Sequence, residues 1–528
     1  MPPSNRARRP YPMSDAVREA YANGEEDEAL EPLVLLDAGA TPVGRIRNGD
    51  YVIFYDIRGE REVELTRSFV DEGFHEFPTD KGLKANFVTM IQYDEMLKVK
   101  VAFPPQGDIV DTLSEVASNH GLRQVKITES EKAIHLGFFL NGKRDEAFPG
   151  EERIIIPSPR VDNYADKPEM SISQVTEAIL QKVDDPTYSL IIGNFANVDV
   201  IGHIENEKAI KRAVEIVDAN VGLVVGAAKR AGVTPLITAD HGTVERWLYP
   251  DGAIDTGHTD SPVPFILISP QKRALRDGGE LSDVAPTVLH LLGLPKPAAM
   301  TGRSLLAHGA ATDRGGRRVL LLIVDGWGFK AKSEGNLIAQ AQTPVTDSLQ
   351  QEYPFTTLEA SGRAVGMPAG TVGNSEAGHL HLGAGRRVYS DRLRIDEAIE
   401  KGSFPENEAF LWAMRGAKRN GTRLHLLGIV SFYSSHGSVD HLHALLKLAK
   451  REGLKEVYIH SMLGRRGEHP ESGARYIQSV EEETERLGLG RVVSVIGRFW
   501  ALDREENWDR IEKTYRWLVY GEGKAVRS

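Results

Sequence analysis

The 528-residue chain contains no cysteine. Disulfides and thiolate metal sites are therefore excluded, and any metal must be held by carboxylate, imidazole or hydroxyl groups. No apolar run approaches the roughly 20 residues that span a bilayer. The basic opening stretch MPPSNRARRPYPM is not followed by the apolar segment of a secretory signal. A cytoplasmic protein without a membrane partner is expected. Positive charge is in deficit: 64 lysines and arginines face 75 aspartates and glutamates, a net −11 that argues against a nucleic-acid partner. Internal repeats and long low-complexity tracts are also missing. What remains is the composition of an ordinary globular protein, 41% hydrophobic and 26% charged, with length for about three or four domains.

Apolar, β-branched runs alternate with amphipathic stretches along the chain. DYVIFYDIR, YSLIIGNFA, VTPLITAD, RRVLLLIVD, TRLHLLGIVS, EVYIHSML and RVVSVIGR read as buried strands, and ENEKAIKRAVEIVDANVGLVVGAAKR and SVDHLHALLKLAKREG read as helices. This alternation predicts an α/β fold of doubly wound domains. The small, Gly-rich stretch 307–318 is the best linker candidate, and the Pro-Pro of AFPPQG, 102–107, is a second break. The strand ends sort by charge. Three finish at or near acids, Asp199, Asp240 and Asp325, and others finish at Arg58, Arg498 or just before Arg466. One sheet therefore presents carboxylates, which collect metals, and another presents guanidiniums, which collect phosphates and carboxylates.

Asp199 and His203 lie four apart, Asp240 is beside His241, and His258 follows within 60 residues of Asp199. A lone histidine or strand-end aspartate is more often structural, but three such groupings at successive strand ends point to a metal. The mixed imidazole and carboxylate set suits Mn²⁺ or Zn²⁺ and suits Ca²⁺ poorly. Ser375, in TVGNSEAGHLHLGAG, lies in a Gly-rich turn ahead of a predicted helix. It reads either as a helix N-cap with Glu376 in the first turn, or as a nucleophile activated by a metal rather than by a neighbouring histidine. Arg58, Arg61, Arg498 and Arg504, at or just past strand ends, suit a shared anion pocket.

Eight segments then carry a resemblance over nearly the whole chain: DGWG, GNSEAGH, LGAGR, GRFWALDR, TESEKAIHLGFF, SPRVDNYADKPEMS, TADHG and DVAPTVLHLLGLPKPAAMTGRSL. Together they resemble the cofactor-independent, 2,3-bisphosphoglycerate-independent phosphoglycerate mutases, which belong to the alkaline-phosphatase-like metalloenzymes. That family begins with the DGWG strand and ends with the MTGRSL segment. Here MTGRSL precedes DGWG, so the resemblance implies a circular permutation. It further implies a phosphatase-like metal domain over 107–390 and a smaller transferase-like substrate domain split into 1–106 and 391–528. One metal would be held by Asp199, His203 and His258, the other by Asp325, Ser375, Asp240 and His241. Ser375 would carry the phosphoryl group, Lys132 would neutralise charge on it, and His436 would assist proton movement. Arg58, Arg61, Arg466, Arg498 and Arg504 would hold substrate.

The departures from that pattern fall in one place. The family's SDGGVHSH reads SFYSSHGS, which keeps His436 and puts Ser438 where a second histidine is expected. DGRD reads GRRG: Arg466 survives, but Gly464 and Gly467 replace both acids, leaving Glu468 or Asp440 as substitutes. The expected activity is that of an isomerase of glycolysis. It interconverts 3-phosphoglycerate and 2-phosphoglycerate through a phosphoserine, with two divalent cations, Mn²⁺ first and Mg²⁺, Co²⁺ or Zn²⁺ as alternatives. A metal-dependent phosphohydrolase or a mutase of altered substrate is the second reading, motivated by GRRG. A monomer whose partner is the small phosphoglycerate substrate is expected.

Overall fold

The computed structural model describes residues 11–161, 163–249, 251–271, 273–307, 318–331, 334–432, 436–464 and 471–527. The chain divides into two compact units, Gly107–Leu393 and Met1–Gln106 with Arg394–Ser528, fewer than length alone suggests. Each is built on an eight-stranded mixed sheet. The stretch 308–317, which contains nearly all of the linker candidate, lies outside the described residues. The strand Lys100–Phe103 stops at the Pro-Pro pair, which cannot donate to a sheet ladder, and the unit boundary follows at Gln106.

In the larger unit the strand Val319–Val324 is buried at every position and lies centrally. It pairs in parallel with Thr234–Thr238 on one side and Tyr188–Phe195 on the other. Tyr188–Phe195 pairs in turn with Arg123–Glu129, which pairs with Glu151–Ile156, all parallel. Beyond Thr234–Thr238 the strand Val263–Leu267 runs antiparallel, followed by Phe355–Glu359 and Gly279–Glu280. Parallel neighbours need crossovers, and the helices supply them. The helix Glu207–Arg230 shows why it forms: Ile210, Val214, Val217, Val221 and Val225 bury one stripe, Asn206 caps the amide of Ala209, and Lys229 and Arg230 close its last turn.

In the smaller unit the sheet order is Lys524–Arg527, Leu33–Leu36, Arg491–Gly497, Val457–Leu463, Leu424–Ile429, Tyr51–Phe54, Asn86–Ile91 and Lys100–Phe103. Among the described residues of this sheet only Leu33–Leu36 against Arg491–Gly497 is antiparallel. Ser438 caps the helix Val439–Glu452 by accepting from the amide of Asp440 at 3.3 Å. The serine at the expected second-histidine position thus has a structural task. Every strand and both helices quoted from the sequence are present within a few residues of the quoted limits.

Leu322 is fully buried in the central strand, whereas Leu223 is 57% exposed on the long helix. We expect Leu322→Ala to destabilise the larger unit by about 2–5 kcal/mol and Leu223→Ala by no more than about 0.5 kcal/mol. Denaturant midpoints of the two variants check this, and equal shifts would contradict the packing described.

Candidate metal centre

Four adjacent strands of the larger sheet deliver their following residues to one place. Val319–Val324 leads into Asp325, Thr234–Thr238 into Asp240 and His241, Tyr188–Phe195 into the short helix that holds Asp199, and Arg123–Glu129 into Lys132. Two glycines permit the approach. Gly326 has φ +77°, and a Cβ there would lie 2.8 Å from the backbone of Asp199. A Cβ on Gly378 would lie 2.5 Å from the carbonyl oxygen of Asp240, so the helix Ser375–Ala384 packs its backbone directly on that strand end. Asn374, not Ser375, caps this helix, accepting from the amide of Ala377 at 2.8 Å. The N-cap reading of Ser375 is thereby corrected: it is the first helical residue, and its hydroxyl is left for other partners.

Those partners are the sequence-predicted groups. Lys132 Nζ donates to Asp199 Oδ2 and Asp325 Oδ1 at 2.6 Å each, and to Ser375 Oγ at 2.7 Å. Ser375 Oγ is 3.3 Å from Asp325 Oδ1 and 3.0 Å from His241 Nε2. His258 Nε2 and His203 Nε2 approach Asp199 Oδ1 at 3.2 and 3.4 Å. Asp240 Oδ1 accepts from the amides of His241 and Gly326 at 3.0 and 3.2 Å. Asp240 and Asp325 are fully buried, while the His203 side chain is 45% exposed at the mouth of a cavity of about 600 Å³.

The electrostatics follow from crowding charges without water. Burial opposes the Lys132 ammonium, yet Asp325, Asp199 and Asp240 outweigh it and raise its pKa. Burial likewise opposes ionised Asp199, but Lys132 and His241 hold its carboxyl well below the usual range. Asp325 moves the other way, pushed up by burial and then by the charge of Asp240. Burial also pushes His135, on the cavity wall, down to about 4 with the help of His379.

The site fits divalent cations. His203, His241 and His258 each place Nδ1 on a backbone carbonyl, of Thr256, Gly242 and Gly373, at 2.8, 3.1 and 2.9 Å. This is the outer hydrogen bond that aims the other nitrogen at a metal. With both Nδ1 atoms protonated, the Nε2 lone pairs of His203 and His258 face each other at 3.0 Å. Asp240 Oδ2 is buried, with His379 Nδ1 3.2 Å away. Ligand atoms of Asp199, His241 and His258 lie within 4.8 Å of one another, as do those of Asp240, His241 and Asp325. Lone pairs and carboxylates converging in this way call for positive charge beyond that of Lys132.

The sequence reading did not include His379 and Asn194. His379 Nδ1 lies 2.9 Å from the Ser375 carbonyl, and Asn194 Nδ2 donates to Asp325 Oδ2 at 2.9 Å. The four-residue spacing from Ser375 to His379 was a readable signal, whereas nothing in YSLIIGNFA marked Asn194. In the smaller unit, Arg58 and Arg504 share Glu60 Oε1 at 2.9 and 2.7 Å, Arg61 donates to the Leu502 carbonyl at 3.0 Å, and Arg498 reaches Glu28 at 3.3 Å. Burial, then the charges of Arg504, Arg498 and Arg58, lowers the pKa of Arg61. His436 pairs with Glu62 at 3.0 Å in the same unit. Arg466, Gly467 and Glu468 lie outside the described residues.

The model of the Metalloenzyme superfamily matches residues 30–296, just over half of the chain. The chain belongs to this superfamily. A second model, the N-terminus of BPG-independent PGAM, matches residues 395–528. The 2,3-bisphosphoglycerate-independent phosphoglycerate mutase of Pseudomonas aeruginosa is 43% identical over 56% of this chain and 57% of its own length. That of Moorella thermoacetica is 44% identical over 56% and 57%. The chain thus spans somewhat over half the length of the curated relatives it matches. A solved Leishmania mexicana phosphoglycerate mutase, obtained at low cobalt concentration, is 28% identical over 52% of this chain and 53% of that one, with a TM-score of 0.36.

A divalent cation that binds only the folded state stabilises it by about 2.7 kcal/mol at a hundred times its Kd. Calorimetry of chelator-treated protein with Mn²⁺, Mg²⁺ or Zn²⁺ added back should show a saturable rise in Tm with at least one of them. Asp240→Asn should reduce that rise, and a rise unaltered by the substitution would place the cation elsewhere.

Proposed function

We propose that the chain is a 2,3-bisphosphoglycerate-independent phosphoglycerate mutase that interconverts 3-phosphoglycerate and 2-phosphoglycerate through a phosphoserine at Ser375. The observation that carries this reading is the Ser375 hydroxyl, contacted at once by Lys132, His241 and Asp325 inside a nest of metal-ligating groups. The relatives named as mutases and the match at 395–528 support the substrate class.

Asp199, His203 and His258 would hold one divalent cation, and Asp325, Asp240, His241 and Ser375 a second, with Mn²⁺ our first choice. When bound, the cations supply Lewis-acid neutralisation of phosphoryl oxygens and a more acidic serine hydroxyl. The remaining work falls to side chains. Ser375 Oγ forms the new P–O bond as the bond from phosphorus to the glycerate oxygen breaks, and the hydroxyl proton points to Asp325 Oδ1. Lys132 Nζ, 2.7 Å from Oγ, meets the charge of the transferring group. Arg58, Arg61, Arg498, Arg504 and Arg466 bind the substrate phosphate and carboxylate, and His436 moves the proton of the glycerate hydroxyl. Return of the phosphoryl group to the other hydroxyl completes the isomerisation.

The order of the matches supports a further part of the proposal. The model of a family N-terminus matches after the superfamily match, and Asp325 and Ser375 lie beyond residue 296, where that match stops. We take the chain to be a circular permutation of the family order, with the larger unit carrying the phosphoryl group and the smaller recognising substrate. Among the described residues no helix is long and apolar enough to cross a membrane; action in the cytoplasm as a monomer is part of the proposal. The hydrolase reading finds no support in the names of the relatives.

Ser375→Ala should lower mutase turnover by on the order of 10³ or more while leaving the melting transition in place. Mass spectrometry of the quenched wild type should find phosphate on Ser375. Substantial turnover in the variant, or phosphate trapped on another residue, would refute the assignment. The ratio of 2-phosphoglycerate to free phosphate formed from 3-phosphoglycerate separates mutase from hydrolase, and excess free phosphate would favour the latter.

A further inference from the structure

Asp56, Glu62 and His436 form a second buried cluster, in the smaller unit. All three are almost completely inaccessible, and one oxygen of each carboxyl and a ring nitrogen lie within 4.8 Å of one another. Backbone bonds hold the cluster together: the amide of Ile57 donates to the carbonyl of His436 at 2.6 Å, and that of Glu62 to Gly59 at 3.0 Å. Each carboxyl has one committed oxygen. Asp56 Oδ1 accepts from the amide of Ile429 at 2.8 Å, and Glu62 Oε1 lies 3.0 Å from His436 Nδ1. The other two, Asp56 Oδ2 and Glu62 Oε2, are buried with no hydrogen bond.

Two neighbouring carboxyls in a dry interior do not both ionise; a proton held by one of them removes the repulsion. Burial and then the charge of Glu62 push Asp56 well above the usual carboxylate range, so Asp56 carries it. Among the described residues, the hydroxyls of Tyr55 and Tyr93 also lie near the pair, Tyr55 raised by burial and Asp56, Tyr93 by burial, Glu62 and Asp56, and both therefore neutral; Tyr93 donates to the carbonyls of Phe54 and Asp56. Glu62 is then an acceptor, and the shared atom Nδ1 must be the donor.

We propose that Glu62 is a positioning residue that locks His436 in the Nδ1–H tautomer and makes Nε2 its basic nitrogen. Its catalytic value rests on the mutase reading, in which His436 takes a proton from a glycerate hydroxyl; the tautomer does not. When Nε2 accepts that proton, the imidazolium charge faces the Glu62 carboxylate through Nδ1–H. The placement suits the task, because Glu62 directly follows Arg61 of the guanidinium cluster. It also supplies a carboxylate in a chain whose GRRG stretch has Gly467 where the resemblance expects an acid.

The test is a long-range ¹⁵N–¹H spectrum of ¹⁵N-histidine-labelled full chain, with His436 assigned by its absence in His436→Gln. A protonated Nδ1 and a pyridine-like Nε2 in the wild type are expected, and the opposite tautomer would overturn the proposal without any variant at Glu62. Glu62→Gln should mix the two tautomers, whereas Asp56→Asn, which keeps a neutral group beside Glu62, should keep Nδ1–H. A flip in Asp56→Asn would remove Asp56 from the account. Kinetically, Glu62→Gln should lower mutase kcat by about 10–100-fold with KM little changed. Ser375-dependent hydrolysis of p-nitrophenyl phosphate should persist, and a kcat within twofold of wild type would overturn the proposal. If the wild type hydrolyses that ester but isomerises no phosphoglycerate, the mutase reading fails while the tautomer measurement still decides on Glu62.

Discussion

Three carboxylates brought together in a dry core repel one another, and the larger unit is arranged around managing that repulsion. A pair of like unit charges at 4 Å costs on the order of 4 kcal/mol at an effective dielectric of 20, and Asp199, Asp240 and Asp325 are all buried. Lys132 answers part of it by donating to Asp199, Asp325 and Ser375 from one ammonium. The backbone answers another part, with two amides on Asp240 Oδ1. Three imidazoles turned inward by carbonyl acceptors complete a site whose charge balance calls for added cations.

Holding such a site demands rigid support close behind it. The ligand-bearing segments follow four strands that are mutual neighbours, so their ends cannot shift independently. Gly326 and Gly378 let the Asp199 backbone and the Ser375 helix come closer than any side chain would allow. The Gly-rich character of GNSEAGH is therefore partly a packing requirement, separate from any role in meeting an anion.

The smaller unit meets the opposite problem. Arg58, Arg61, Arg498 and Arg504 gather positive charge, with Glu60 and Glu28 as partial counterweights. Cations kept together in this way attract phosphates and carboxylates, the groups a phosphoglycerate carries. Directly beside them in sequence, the buried acids Asp56 and Glu62 repel each other, and burial with the charge of Glu62 raises the pKa of Asp56.

The amino-acid sequence by itself determined the α/β class, the strands and the two long helices, because burial of a β-branched run or an apolar stripe is a local pattern. It also determined which strand ends bear acids and which bear arginines, and within the larger unit Lys132 reaches Asp325 and Ser375, the latter across 243 residues of chain. Three things only the tertiary structure decided. Whether Ser375 caps its helix or offers its hydroxyl depended on Asn374 taking the cap. That Asn194 steadies Asp325 depended on strand register, since a buried asparagine carries no periodic signature. That Glu62 holds His436 depended on bringing together residues 374 apart, and the last glutamate of DIRGERE reads from the sequence as one more surface charge until burial removes the water that would have made it so.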